Sequence, residues 1–345
     1  MSIDLQKAKA VRVTGEFAID TLTYDTVEVA HPGCGQVLVA IKAVSLNYRD
    51  LLVVTGRYNP NLPTPLVIAS DGAGEVLAVG EGVRNFKIGD RVAGSFFQKW
   101  QRGEIDREAA PSALGGSIDG VLATARVFDE CGLVHIPAHL SYEEAATLPC
   151  AAVTVWNALV HAAHVKGGDT VLLLGTGGVS IFGLQFAAMH GARTIITSSS
   201  DEKLARAKAL GASEPINYSK HPEWHKEVLR LTNGRGADIV LEVGGTGTLP
   251  KSLRAVRSGG HVSLIGVLAG IAEPFNIGPI LHNSIRLQGI YVGSTEMFEA
   301  MIRAITANKL KPVIDRTFPF EQAREALRYM ESARHFGKIV IRVAE

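Results

Sequence analysis

The stretch Val171-Leu172-Leu173-Leu174-Gly175-Thr176-Gly177-Gly178-Val179-Ser180 decides the reading of this chain. Its apolar start reads as a buried strand, its glycines as a tight turn, and residues 179–190 as a helix leaving that turn. In this context Gly175 permits the turn, Gly177 lets the backbone approach a pyrophosphate, and Ser180 keeps the helix close to the strand. The helix N-terminus offers free N–H groups and a positive dipole end to phosphates. Gly175, Thr176, Gly177, Gly178 and Val179 are therefore candidate dinucleotide-binding residues.

The next strand, 194–197, runs into Ser198-Ser199-Ser200. A site for NAD commonly ends this strand in Asp or Glu, which binds the ribose hydroxyls. Here Ser198 and Ser199 can donate to a 2′-phosphate, and Lys203 adds positive charge. Asp201 opens the following helix, where the dipole favours a carboxylate, and it reads as structural. NADP(H) is expected over NAD.

Working outward, helices at 201–210, 223–232 and 249–256 alternate with strands at 214–217, 238–243, 261–265 and 285–290. That alternation predicts an α/β fold, a doubly wound parallel sheet of the Rossmann type. Upstream, residues to about 125 are β-rich, with strands at 11–13, 37–44, 75–79 and 91–93. A helical stretch at 48–55 and a long loop at 96–125 interrupt them. Phe96, Phe97 and Trp100 begin that loop and form either an apolar substrate wall or its packed core. The capping box Ser141-Tyr142-Glu143-Glu144 opens a helix, and a helical run follows at 151–163. Downstream come helices at 295–307 and 320–332 and a strand at 338–343. The expected divisions are 1–130, 131–292 and 293–345.

Composition narrows the function classes. The chain has 345 residues, 46% apolar and 20% charged, with a formal net charge of +1. That supports two packed domains and, without a basic block, argues against a nucleic-acid groove or a membrane surface. Three scattered cysteines form no disulfide framework, which fits a reducing compartment. Residues 1–13 carry charges and lack the apolar centre of a secretory signal, and no window reaches the ~18 apolar residues of a spanning helix. A cytoplasmic protein acting on a small molecule is expected.

Three further motifs carry a resemblance. Ser45-Leu46-Asn47-Tyr48-Arg49-Asp50, Ala69-Ser70-Asp71-Gly72-Ala73-Gly74-Glu75-Val76 and Leu148-Pro149-Cys150-Ala151-Ala152-Val153-Thr154 resemble the zinc-free quinone oxidoreductases of the medium-chain dehydrogenase/reductase superfamily. With the fingerprint, the resemblance covers essentially the whole chain. It implies a GroES-like catalytic domain built from both chain ends beside the Rossmann domain, and a homodimer through the outer strand 285–290. It also implies that Asn47, Thr154, Gly266 and Val267 approach the nicotinamide half. Tyr218 and Lys203 would lie near the adenosine phosphate, and Gly337 and Lys338 would approach from the C-terminal return. Packing alone is the alternative for Thr154, and a surface-loop role for Tyr218.

Zinc members of the superfamily use Cys, His and a further Cys or acid. Here the first position reads Asn47, the second Ser70, and only Cys150 remains. Catalytic zinc needs three protein ligands and one open position, so no metal site is expected. Between residues 94 and 134 the only cysteine is Cys131, which removes the four-cysteine structural lobe. Without a Lewis acid, simple alcohol oxidation loses its main electrostatic aid. An enone or quinone asks less, because its conjugated oxygen spreads the developing charge. The expected reaction is hydride delivery from NADPH to such an acceptor, with the proton from Tyr58, Tyr48 or water. Tyr58 lies where related zinc-free enoyl reductases carry a tyrosine, and a phenol can donate at neutral pH. Asn47 would bond either the ribose or the substrate oxygen. An alcohol or aldehyde dehydrogenase of the same superfamily and a non-catalytic NADPH-binding protein stay open as alternatives.

Overall fold

The computed structural model describes residues 7–272, 274 and 276–344. Residues 1–6, which contribute to the leader reading, lie outside them. The chain divides into two compact units, 1–153 with 293–345, and 154–292.

The first unit is a β-rich body. Strands β1 (Lys7–Val13), β2 (Thr23–Glu28), β3 (Gln36–Leu46), β4 (Leu66–Val67), β5 (Asp71–Val79), β6 (Arg91–Gly94), β7 (Ala125–Asp129) and β8 (Leu133–His135) precede the division, with helices α1 (Tyr48–Val54) and α2 (Tyr142–Ala146). The 11-residue β3 is buried along nearly its whole length and is the spine of the unit, pairing with β5 and β7. Ser141 caps α2 as its motif requires, accepting from the Glu144 N–H while the Glu144 carboxylate accepts from the Ser141 N–H. Valines, leucines and isoleucines of β3, such as Val39, Ile41, Val44 and Leu46, anchor the core.

The second unit holds strands β9 (Thr170–Leu173), β10 (Arg193–Ser198), β11 (Glu214–Asn217), β12 (Ala237–Glu242), β13 (Val256–Leu264) and β14 (Arg286–Gly289). All pair in parallel, in the order β11-β10-β9-β12-β13-β14. That is the doubly wound order, with its topological switch beside β9. Helix α3 (Val153–Trp156) continues two π-helical stretches, Leu148–Ala152 and Asn157–Ala162. Helices α4 (Gly178–Met189), α5 (Asp201–Ala209), α6 (Trp224–Leu231), α7 (Leu249–Ala255) and α8 (Gly278–His282) alternate with the strands. Leu172, Ile195, Val240 and Val262 fill the sheet core. The chain then returns to the first unit through α9 (Thr295–Asn308), β15 (Ile314–Pro319), α10 (Ala323–Glu331) and β16 (Lys338–Arg342).

One sequence expectation changes, and of two open alternatives for the 96–100 aromatics the contacts favour one. The division falls after Val153 and not after residue 130. Residues 131–153 stay with the first unit because β8 pairs with β6 and Cys150 bonds back to Asp71. Phe96, Phe97 and Trp100 are buried and pack edge to face, with ring centroids 4.7 Å and 5.9 Å apart, and the Trp100 indole donates to the Gly103 carbonyl. They are loop core, not a substrate wall.

Candidate active site

In the first unit a buried chain of polar groups joins residues distant in sequence. Asn47 stands just before α1, and its backbone N–H donates to the Asp50 carboxylate at 2.8 Å. The antiparallel register sets Ile339 of β16 against Leu46 of β3, bringing Lys338 beside Asn47. The Lys338 ammonium donates to the Asn47 Oδ1 at 2.5 Å and to the Leu46 carbonyl at 2.7 Å. Asn47 Nδ2 makes a long contact, 3.4 Å, to Ser70 Oγ. Ser70 donates to Asp71 at 2.6 Å, and Asp71 accepts the Cys150 N–H at 2.9 Å. Asn47, Asp50, Ser70, Asp71 and Lys338 are all buried.

Burial governs their protonation. It pushes the Asp50 carboxyl up to about 6, against the pull of Arg49 and the Asn47 N–H. Burial likewise raises Asp71, opposed by Lys338 and Ser70. The Cys150 thiol is driven far upward by burial and by the Asp71 carboxylate. A raised carboxyl means the folded protein holds the proton more tightly than the unfolded chain. Its contribution to stability is therefore largest below the unfolded carboxylate range and is lost as pH rises toward 6. Asp50→Asn should remove that decline, on the order of 3 kcal/mol between pH 4 and pH 7. Urea denaturation across that range reads it, and an unchanged slope in the variant would assign the titration elsewhere.

The same geometry tests the donor set for zinc. Asn47 Oδ1 is already engaged by an ammonium and Ser70 by Asp71, which leaves Cys150 as the one thiol among the three positions. Among the described residues no three His, Cys, Asp or Glu side chains form a metal-holding group. The residues present do not fit the ion.

Arg49 lies over the Tyr58 ring and the Phe96 ring, with its guanidinium carbon 5.0 Å and 4.9 Å from their centroids, and bonds the Leu114 carbonyl at 2.6 Å. Tyr58 and Tyr48 are both partly exposed, at 36% and 37%. Gly337 leads directly into Lys338, whose N–H bonds the Val313 carbonyl.

In the second unit the fingerprint forms an open cradle. Gly175 adopts φ +76°, a left-handed conformation, and its N–H bonds the Thr197 hydroxyl at 3.1 Å. Gly177 is the N-cap of α4, and no side chain caps that end, leaving its first N–H groups for an anion. Thr176 is buried and Val179 lies in the first turn. Ser180 donates to the Leu174 carbonyl at 2.6 Å, tying helix to strand. A close approach within α4 comes at Gly183, which sequence reasoning missed: a Cβ there would meet Leu173 and Leu241 at 2.7 Å and 2.9 Å.

At the end of β10, Ser198 is buried and its hydroxyl accepts the Ser200 N–H, while Ser199 is exposed. Ser200 caps α5, accepting from the Lys203 N–H. Tyr218 joins this edge through its N–H to the Ser198 carbonyl at 3.0 Å, and its ring is exposed. Asp201 is drawn to Lys220 at 2.7 Å and to Asn217, and both bonds lower its carboxyl. Thr154 is buried in the helical run. Gly266 and Val267 follow β13, where the N–H groups of Ile265 and Gly266 reach the Glu242 carbonyl. Glu242 itself was missed: its buried carboxylate accepts from Gly244, Gly245, Thr248 and Ser252, fixing the turn after β12. A lone acid ending an apolar strand before Gly244-Gly245 was the available signal.

A GroES-like body, a doubly wound nucleotide-binding sheet and an uncapped glycine cradle define a nicotinamide-dependent oxidoreductase. The model for the alcohol dehydrogenase GroES-like domain matches residues 33–138, and that for zinc-binding dehydrogenases matches residues 178–307. A zinc-type alcohol dehydrogenase-like protein of Schizosaccharomyces pombe is 47% identical over 93% of this chain and 94% of its own length. A quinone oxidoreductase of Pseudomonas aeruginosa is 30% identical over 97% and 99%. The crystal structure of a putative alcohol dehydrogenase from Sinorhizobium meliloti superposes with a TM-score of 0.91 at 41% identity, covering 98% and 99% of the two chains. An NAD-dependent alcohol dehydrogenase (35% identity, TM-score 0.89, covering 97% and 100%) and a 2-octenoyl-CoA carboxylase reductase bound to NADP and 2-octenoyl-CoA (25%, 0.88, 98% and 88%) share the fold. This chain belongs to the medium-chain dehydrogenase/reductase superfamily and is an NAD(P)-dependent oxidoreductase of it.

Proposed function

We propose that the protein reduces an enone, quinone or related activated carbonyl compound with NADPH and without zinc. The observation that carries this reading is the Lys338–Asn47–Ser70–Asp71 chain of hydrogen bonds, which engages Asn47 and Ser70, two of the three positions that the resemblance gives to zinc ligands. Bound NADPH supplies the hydride. Gly175, Thr176, Gly177, Gly178 and Val179 hold its pyrophosphate. Ser199, Lys203 and Tyr218 take the 2′-phosphate, with Ser198 shaping the strand end behind them. Thr154, Gly266 and Val267 border the nicotinamide half.

The first unit supplies the polar work. Because Lys338 holds the Asn47 Oδ1, the amide of Asn47 is turned so that its NH₂ donates. An oriented donor stabilises negative charge on the substrate oxygen as hydride arrives. Lys338, following Gly337, is thus a positioning residue and Asn47 the contacting one. Tyr58 or Tyr48 then delivers the proton. Tyr58→Phe should lower turnover tenfold or more while leaving NADPH affinity within about twofold, in line with the usual worth of a positioned acid. Unchanged turnover would remove Tyr58 from the mechanism.

Relatives named as alcohol dehydrogenases favour a second reading, oxidation of an alcohol or reduction of an aldehyde. NADPH oxidation against quinones, enones and aldehydes, with NADP-linked alcohol oxidation alongside, separates the two. No described helix is long and apolar enough to cross a membrane. The outer edge of β14 carries no strand partner among the described residues, and Ile277 and Leu281 just before it are 67% and 76% exposed, which supports a homodimer through this strand.

A further inference from the structure

At the N-terminal ends of β9, β12, β13 and β14, in the second unit, lies a cavity of about 190 Å³. It is lined by His164, Lys166, Asp169, Asp238, Arg257, His261 and Arg286, among others. The fingerprint sits at the C-terminal end of β9, so this cavity is separate from the dinucleotide cradle. It is also independent of the reaction proposed above.

His261 is its distinctive member. The residue is only 5% exposed, and neither ring nitrogen meets a hydrogen-bond partner. Buried polar groups are almost always bonded, so an imidazole bare at both nitrogens points to a ligand. The strand register sets His261 directly opposite Arg286 on the neighbouring parallel strand. Arg286 makes no ion pair among the described residues.

The carboxylates in the wall are already satisfied. Asp238 is held by Arg235 at 2.7 Å, by Arg257 at 2.6 Å and by the Thr170 N–H at 2.9 Å. Asp169 is paired with Lys166 at 3.5 Å. What remains uncompensated is cationic: Arg286 and, when protonated, His164 and His261. Burial first, then Arg286 and His164, lowers the His261 pKa and keeps its ring neutral in the empty cavity.

We propose that this cavity binds a phosphate group or a similarly small oxyanion, held by hydrogen bonds from the His261 ring and the Arg286 guanidinium. An arginine and an imidazolium both donate charge-assisted bonds to such an anion. Binding draws a proton onto His261, because an adjacent anion favours the charged ring and so offsets the burial and the cationic neighbours that hold it neutral. Affinity therefore rises as pH falls. Against its burial, the Asp238 carboxyl is drawn down to about 2 by Arg235, the Thr170 N–H and Arg257 and stays charged, and Lys166 faces the cavity already paired with Asp169.

The test follows the His261 ring by NMR while inorganic phosphate is added to the whole protein. Glycerol phosphate is titrated in parallel, to tell a free ion from a phosphomonoester as the natural source. Saturable shifts of the ring are expected, with its titration midpoint raised by about one pH unit, equivalent to tenfold tighter binding to the protonated ring. Arg286→Gln, with its oligomeric state checked against wild type because β14 is also the proposed dimer edge, should weaken binding about tenfold or more. His261→Phe should remove the imidazole's share of the pH dependence and leave only that of the ligand's own second ionisation. Phosphate bound in the glycine cradle would respond equally in wild type and Arg286→Gln, so equal affinity in the two overturns the proposal. Ring resonances unmoved by either anion overturn it as well.

Discussion

Lys338→Met is expected to unfold more easily by about 3–5 kcal/mol and to lose most of its turnover, because one buried cation serves several partners. Its ammonium is the hydrogen-bond donor to both Leu46 and Asn47, and it tempers the fields of Asp50 and Asp71. A methionine fills similar space but leaves two acceptors unpaired and removes the cation beside Asp71, while Asp50 keeps Arg49. The Asn47 amide loses the contact that fixes its orientation. Urea denaturation reads the stability loss, and steady-state kinetics reads the second effect as a fall in kcat with little change in NADPH KM. A parallel rise in NADPH KM would instead mean that Lys338 touches the dinucleotide directly. Full activity would mean that Asn47 needs no orienting partner.

Ser199→Asp should invert the cofactor preference. Ser199 is exposed at the end of β10, in the position where an acid would select the ribose hydroxyls of NAD. In the proposed site a carboxylate there would face the 2′-phosphate of NADPH, and such like-charge juxtaposition is costly. The kcat/KM for NADPH should fall about 100-fold, roughly 2.7 kcal/mol, while that for NADH changes by no more than a few fold. Asp201 does not play this part in the native chain, because Lys220 and Asn217 already hold its carboxylate. An unchanged NADPH to NADH ratio in the variant would place the phosphate elsewhere.

Much of the nucleotide-binding sheet was legible in the sequence because its signals are local. The apolar β9, the glycine turn and the apolar face of α4 lie within 20 residues, and a parallel strand buried on both faces reads as an unbroken apolar run. Strand β2 was not legible: its residues alternate between half-buried and exposed, so no apolar pattern marks it. Strands β7 and β8 escaped for a different reason, since each is short and is stabilised by partners far away in sequence. The division after Val153 was missed because a helical run passes straight through it without a turn signal. At the site, Asn47 and Ser70 stood out by being the wrong residues for a metal. Their link to Lys338 did not, because 291 residues separate Lys338 from Asn47 and only the β3–β16 register brings them together.

Metal content and turnover measured on one chelator-treated sample test the central claim most directly. Elemental analysis before and after treatment, beside NADPH oxidation with an enone or quinone, should find far less than one zinc per chain and undiminished activity. One zinc per chain, with activity lost on its removal and regained on its return, would contradict the account.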